Sequence, residues 1–261
     1  MCTVTFIPRG NGFYVAMNRD EQIARPKAGA PAVFQYGGVE SIYPLDFEGG
    51  TWIAANSRGV AFTLLNWNDA PILREKTRTR GCVIPAVASS DCGQAAHSAL
   101  TQLDLEGILP FKLVGFFPEE EGVIEWRWDQ RVLKRNLVPW DMRQWCSSSL
   151  SDAQASLRRA LTFQRGVKEC DCGSLAWLRR LHASHDQELD PFSHCVHRAR
   201  VETLSYTELV CTPRNIECHY LDGSPCRVDG AIHRVSLPRL FPPERSVRRA
   251  AFTEASDKST C

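Results

Sequence analysis

Met1-Cys2-Thr3-Val4-Thr5-Phe6-Ile7-Pro8-Arg9-Gly10-Asn11-Gly12-Phe13-Tyr14-Val15-Ala16-Met17-Asn18-Arg19-Asp20-Glu21 is the stretch on which the reading of this chain turns. Thr3 to Ile7 alternates and is rich in β-branched residues. Phe13 to Met17 is a second β-like run, and Asn11-Gly12 between them is a strong short-range hairpin signal. A hairpin here carries Asn18-Arg19-Asp20-Glu21 back to the start of the first strand, beside Cys2.

That placement gives Cys2 a chemical reading. Methionine aminopeptidases remove Met1 when residue 2 is small, which leaves a thiol and a free α-amine on one residue. The amine has a pKa of about 7.7–8, so it accepts a proton near neutral pH. Such a residue brings its own general base. A nearby guanidinium lowers a thiol pKa, and Arg19 is the candidate. Asp20 is the candidate to hold the α-ammonium. Acyl transfer also needs a donor for the developing oxyanion. Asn66, which ends the predicted strand Val60 to Asn66 within Leu64-Leu65-Asn66-Trp67, is placed to supply it. The plainer reading makes Cys2 a small buried strand residue, Arg19 and Asp20 a turn-end ion pair, and Asn66 a turn former.

Further along, Ala24 to Tyr36 is broken by Pro26, Gly29 and Pro31 and reads as a loop. Thr51 to Asn56 and Val60 to Asn66 read as two strands about a Ser57-Arg58-Gly59 turn. Cys82 to Leu103 spaces its apolar residues at helical intervals, with a break at Asp91-Cys92-Gly93, so two helices are expected. Phe111 to Phe117 and Gly122 to Trp128 read as strands. Ser151 caps a helix running to about Arg165, and Leu175 to Ser184 is a shorter one. Strands return at His194 to His197, Val201 to Thr212 and Asn215 to Leu221. Strands at both ends with helices between them indicate α+β, two sheet halves packed face to face with helices outside. Residues 1–241 read as a single domain and 242–261 as a disordered or extended tail.

Composition narrows the function. The formal net charge is +1, which gives no reason to expect a nucleic-acid partner. The Arg-rich stretch Arg234, Arg239, Arg245, Arg248 and Arg249 reads as solvated. No apolar run reaches the about 18 residues of a membrane span, and no basic leader precedes an apolar core. A cytoplasmic location follows as the default, and eleven cysteines there are expected as free thiols, most of them small core residues.

Met1-Cys2, Asn18-Arg19-Asp20-Glu21, Gly49-Gly50-Thr51-Trp52 and Leu65-Asn66, in this order, resemble the NRDE family, also called the transport and Golgi organisation protein 2 family. The resemblance is fullest over residues 1–80 and weak in the middle third. Pro191 to Arg198 and Thr203 to Thr207 resemble a late strand pair in bacterial members. It implies a four-layer αββα sandwich of two mainly antiparallel sheets, similar to N-terminal-nucleophile (Ntn) hydrolases of the choloylglycine hydrolase and penicillin V acylase group. It also implies Cys2 as nucleophile, tuned by Arg19, with Asp20 on the α-amine and Asn66 in the oxyanion hole. Asn18, Trp67, Ser148 and Arg198 are the implied substrate-side residues. Ser148, in Trp145-Cys146-Ser147-Ser148-Ser149-Leu150, stands where those acylases carry a second Asn. Family members have been linked to lipid, acyl-CoA and haem handling, so fold alone does not fix chemistry.

Two functions from different classes therefore stand. One is an N-terminal-cysteine amidohydrolase acting on a small acylated substrate, without a cofactor. The other is a carrier of the same fold for a lipid, acyl-CoA or haem. No metal site is expected. Cys170-Asp171-Cys172 with His182 and His185, Cys195 with His194 and His197, and Cys218-His219 with Cys226 have the right residue types but no standard spacing. Leu64, Trp67, Trp126, Trp128, Trp140 and Trp145 read as core, with an apolar pocket as the sharper alternative.

Overall fold

The computed structural model describes residues 2–10, 12–185, 190–227 and 232–240. The expected tail at 242–261 lies outside the described residues. The opening hairpin forms as its sequence requires. Strand β1 (Cys2–Arg9) pairs antiparallel with β2 (Gly12–Gln22), with Cys2 opposite Arg19.

Two antiparallel sheets follow from the pairing. The first has the order β10 (Arg143–Ser147), β1, β2, β11 (Val201–Cys211), β12 (Asn215–Asp222), β13 (Ile232–Pro238). The second runs β3 (Pro31–Tyr36), β4 (Val39–Pro44), β5 (Ile53–Asn56), β6 (Ala61–Asn66), β7 (Phe111–Phe117), β8 (Gly122–Trp128), β9 (Leu133–Val138).

The inner faces share one core, in which Val4, Phe6, Phe13 and Val15 meet Ile53, Leu65, Val114 and Phe116. Phe6 stacks on Phe116 at a ring separation of 4.8 Å. Helices α1 (Val83–Val87) and α2 (Gly93–Gln102) cover the outer face of the second sheet through Val83, Ile84, Ala96 and Leu100. On the outer face of the first lie α3 (Asp152–Gly166), capped by Ser151, and α4 (Leu175–Ala183), capped by Ser174. Trp177, Leu178 and Leu181 of α4 pack on Ile7, Ala16 and Tyr206. The layers are thus α, β, β, α, the fold class the sequence predicts.

Three expectations change. Ala24 to Tyr36 is not all loop: Pro31 opens β3, an edge strand, and a first strand position tolerates a missing N–H. His194 to His197 is not a strand. The carbonyl of His194 accepts from Asn18 and the N–H of Val196 donates to Thr203 Oγ1, so this backbone serves side chains rather than a ladder. Arg239 is buried, not solvated: it pairs with Glu119 at 2.6 Å and donates to the Thr212 carbonyl. No helix among the described residues is long and apolar enough to cross a membrane.

Candidate active site

A cleft of about 110 Å³ opens where the two sheets meet at the start of β1. Cys2, Arg19, Asp20 and Asn66 all line it, so the structure brings together the four residues singled out for chemistry. Cys2 is held from both sides. Its backbone nitrogen donates to Ser147 Oγ at 2.9 Å, and its carbonyl accepts from Arg159 Nη1 at 3.3 Å. The register explains the first contact, since Ser147 of β10 is the ladder partner of Cys2.

Arg19 lies on the inner face of β2 opposite Cys2. Its guanidinium pairs with Asp46 at 2.6 Å and stacks over Trp52 at 4.3 Å from the ring centroid. A flat cation held between a carboxylate and an aromatic face has little freedom, and both groups favour its charge. Asp46 also takes Arg25 at 3.0 Å and the Glu48 N–H at 3.1 Å. Burial raises the Cys2 thiol pKa; Arg19 opposes that rise, whereas the charge of Asp20 adds to it.

Asp20 is fully buried beneath α3. Thr203 Oγ1 donates to it at 2.7 Å and Arg159 pairs with it at 3.3 Å. Arg159 is itself buried, and its Nε reaches the carbonyls of Phe192 and Ser193 at 3.2 and 3.1 Å. One guanidinium therefore fastens α3, the Cys2 backbone, Asp20 and the 190–197 loop together.

Arg80 is a further cation in the cleft, and its guanidinium donates to the Pro110 carbonyl at 3.2 Å. It arrives there because two glycine backbones touch. A Cβ on Gly50 would sit 2.5 Å from the carbonyl carbon of Gly81. Thr51 N–H also bonds the Gly81 carbonyl at 3.2 Å. Only glycine permits this approach.

The four residues assigned to the substrate side sit elsewhere. Asn18 is fully buried on the other face of β2, and its amide donates to the carbonyls of His182 and His194 at 2.8 Å each. It ties α4 and the 190–197 loop to the sheet. Ser148 is buried, its N–H donating to Asp152 at 2.7 Å and its hydroxyl accepting from Leu150 N–H at 3.3 Å. Trp67 lies under Arg127, 5.6 Å from ring centroid to guanidinium carbon. Arg198 sits in the turn before β11, bonded through its backbone to Val201.

Ser147, Asp46, Arg80 and Arg159 were not legible as site residues. Ser147 needed β10, whose Arg143-Gln144 start masks a strand pattern. Arg159 looks like any helix-surface arginine, although its neighbours Leu157 and Leu161 are the residues that face solvent.

Solved structures share this fold. Penicillin V acylase from Agrobacterium tumefaciens aligns with a TM-score of 0.54 at 10% identity, over 91% of this chain and 86% of that one. Two variants of conjugated bile acid hydrolase from Clostridium perfringens align at TM-scores of 0.50 and 0.52. Their identities are 10% and 8%, over 91% and 94% of this chain and 92% and 100% of those. At such identities the likeness carries the fold alone. No curated protein matches in sequence. A family model described as "Transport and Golgi organisation 2" matches residues 1–134, the segment holding Cys2, Arg19, Asp20, Asn66 and Arg80. This Ntn-hydrolase-like chain therefore belongs to the transport and Golgi organisation 2 family.

Proposed function

We propose that the protein is an N-terminal-cysteine amidohydrolase that cleaves the amide C–N bond of a small acylated substrate through an acyl-enzyme. The observation that carries this reading is the convergence of Cys2, Arg19, Asp20 and Asn66 on one cleft.

The chemistry follows from the contacts. Once Met1 is removed, the Cys2 nitrogen is a primary amine that Ser147 Oγ already engages. A buried thiol of raised pKa stays protonated at rest, so it needs a base at hand. The amine takes the thiol proton as sulfur attacks the substrate carbonyl carbon. Asn66 donates to the resulting oxyanion. The tetrahedral centre collapses, the C–N bond breaks, and the ammonium returns its proton to the leaving amine. Water, deprotonated by the same amine, then releases the acid from the thioester.

The cleft argues for a small polar substrate. It is narrow and lined by Arg19, Arg25, Lys76 and Arg80 against Glu21, Asp46 and Glu48. Intact-mass analysis after exposure to a β-lactam or an electrophilic amide tests the proposal, with one adduct expected and none on Cys2→Ala.

The carrier reading draws on a different feature. A groove of about 870 Å³ beside α3 is lined by Met142, Leu161, Phe163 and Val167 together with Arg158, Arg165 and Lys168 and one acid, Asp190. Apolar side chains beside a net positive lining suit an acyl chain bearing an anionic head. Saturable binding of an acyl-CoA that Leu161→Glu abolishes would favour it.

A further inference from the structure

We infer that His185, Cys195, His197 and Cys226 form a structural zinc site. Their ligand atoms all lie within 4.8 Å of one another. Cys195 Sγ is 3.5 Å from Cys226 Sγ and 3.6 Å from His197 Nε2, and His197 Nε2 is 3.1 Å from Cys226 Sγ. A tetrahedral zinc with bonds of about 2.3 Å to sulfur and 2.0–2.1 Å to nitrogen needs sulfurs about 3.8 Å apart and sulfur and nitrogen about 3.6 Å apart. The observed spacings match to within about half an ångström, the His197–Cys226 pair being the shortest. The His185 and His197 rings lie 5.2 Å apart by centroid, so a rotation of exposed His185 completes the set.

The donor chemistry selects the metal. Two thiols and two imidazoles suit zinc rather than calcium or magnesium, which take oxygen ligands. Four protein ligands leave no open position, the mark of a structural rather than a catalytic site. The second nitrogen of His197 is also engaged: Nδ1 lies 3.9 Å from Glu202 Oε1 and 3.1 Å from Arg227 Nη2. With zinc on Nε2 the proton sits on Nδ1, so Arg227, which also pairs with Glu202 at 3.3 Å, must turn away from Nδ1 and Glu202 must close its 3.9 Å gap to accept from it.

The site would clamp three segments: the end of α4, the 190–197 loop and the turn after β12. The loop is the one whose Phe192 and Ser193 carbonyls hold Arg159. Next to Cys195, Val196 N–H donates to Thr203 Oγ1, which in turn donates to Asp20. Zinc thus braces the wall behind Asp20 without touching the cleft. The sequence paired His185 with Cys170 and Cys172, but Cys170 is exposed and the fold sends His185 to Cys195 instead.

The test uses the full chain purified under reducing conditions. Elemental analysis should find one zinc per chain. Replacing it with cobalt(II) should give thiolate-to-cobalt charge-transfer absorption and strong tetrahedral visible bands. Zinc should protect Cys195 and Cys226, located by peptide mapping, from alkylation, and a strong chelator should expose both. Cys170→Ser should change none of this, and Cys226→Ser should roughly halve the charge-transfer band, leaving the contribution of Cys195. His185→Ala removes an exposed ligand and should leave the chain folded while weakening zinc at least roughly tenfold in chelator competition. The proposal fails if no zinc is present and cobalt gives only weak octahedral bands. It fails equally if Cys226→Ser leaves the spectrum intact, or if Cys195 and Cys226 are found joined as a disulfide in the reduced preparation.

Discussion

The backbone nitrogen of Cys2 donates to the hydroxyl of Ser147 at 2.9 Å, across a ladder in which the two residues are direct partners. On the proposed mechanism this hydroxyl orients the amine that serves as base. Ser147→Ala should therefore lower kcat by roughly fivefold, the worth of one hydrogen bond of about 1 kcal/mol. Ser148→Ala, whose hydroxyl faces Leu150 N–H, should leave kcat within twofold of wild type, a margin set by the roughly fivefold step at Ser147. Steady-state kinetics on the two variants separates them.

Arg19 should set the reactivity of the thiol. Arg19→Gln removes the cation that opposes the raised Cys2 pKa, and Asp46→Asn loosens that cation. Both should shift the alkylation profile of Cys2 to higher pH, Arg19→Gln by more. Iodoacetamide rates against pH, followed on the N-terminal peptide, measure the shift.

Asn66→Ala should lower kcat by about 10²–10³ with little change in KM, if its amide meets the oxyanion only in the transition state. A rise in KM at constant kcat would assign it to ground-state binding instead.

Arg159→Met should destabilise the fold by about 3–5 kcal/mol, because it removes a buried guanidinium that pairs with Asp20 and holds the carbonyls of Cys2, Phe192 and Ser193. The double variant with Asp20→Asn should recover part of that loss. Urea unfolding of the three variants gives the coupling directly.

Acid should weaken the fold through His182. It is buried against Thr5 Oγ1, and burial lowers its pKa to about 3. The unfolded chain binds the proton near pH 6.5, and the folded chain does not until about pH 3. Stability contributed by the neutral ring is thus complete above pH 6.5 and is lost as pH falls toward 3. Glu208 adds a second loss lower down, since its bonds to His219, Arg179 and Tyr206 outweigh burial and hold it near 2. His182→Gln should flatten the upper part of this dependence in urea titrations at stepped pH.

The hairpin, α3 with its Ser151 cap and the strands of 111–128 were legible because period and turn chemistry agree there. Pro31, Leu133 to Val138, Arg143 to Ser147 and Ile232 to Pro238 were not, because each is an edge strand. One paired side and one solvated side weaken the apolar alternation that marks a strand. The site was readable where adjacency is local, as in Cys2 and Arg19 across a hairpin. Asp46 and Arg80 reach the cleft, and Ser147 and Arg159 reach the Cys2 backbone, through long-range contacts that no spacing encodes. The same holds for His185, Cys195, His197 and Cys226.

The central claim is that Cys2, freed of Met1, is the nucleophile. Intact-mass and N-terminal peptide analysis of the protein before and after an electrophilic acyl probe tests it most directly. The account predicts a chain beginning at Cys2 that gains one acyl group on its N-terminal peptide, with no gain in Cys2→Ala. A chain that retains Met1, or a Cys2→Ala variant labelled as strongly as wild type, would contradict it.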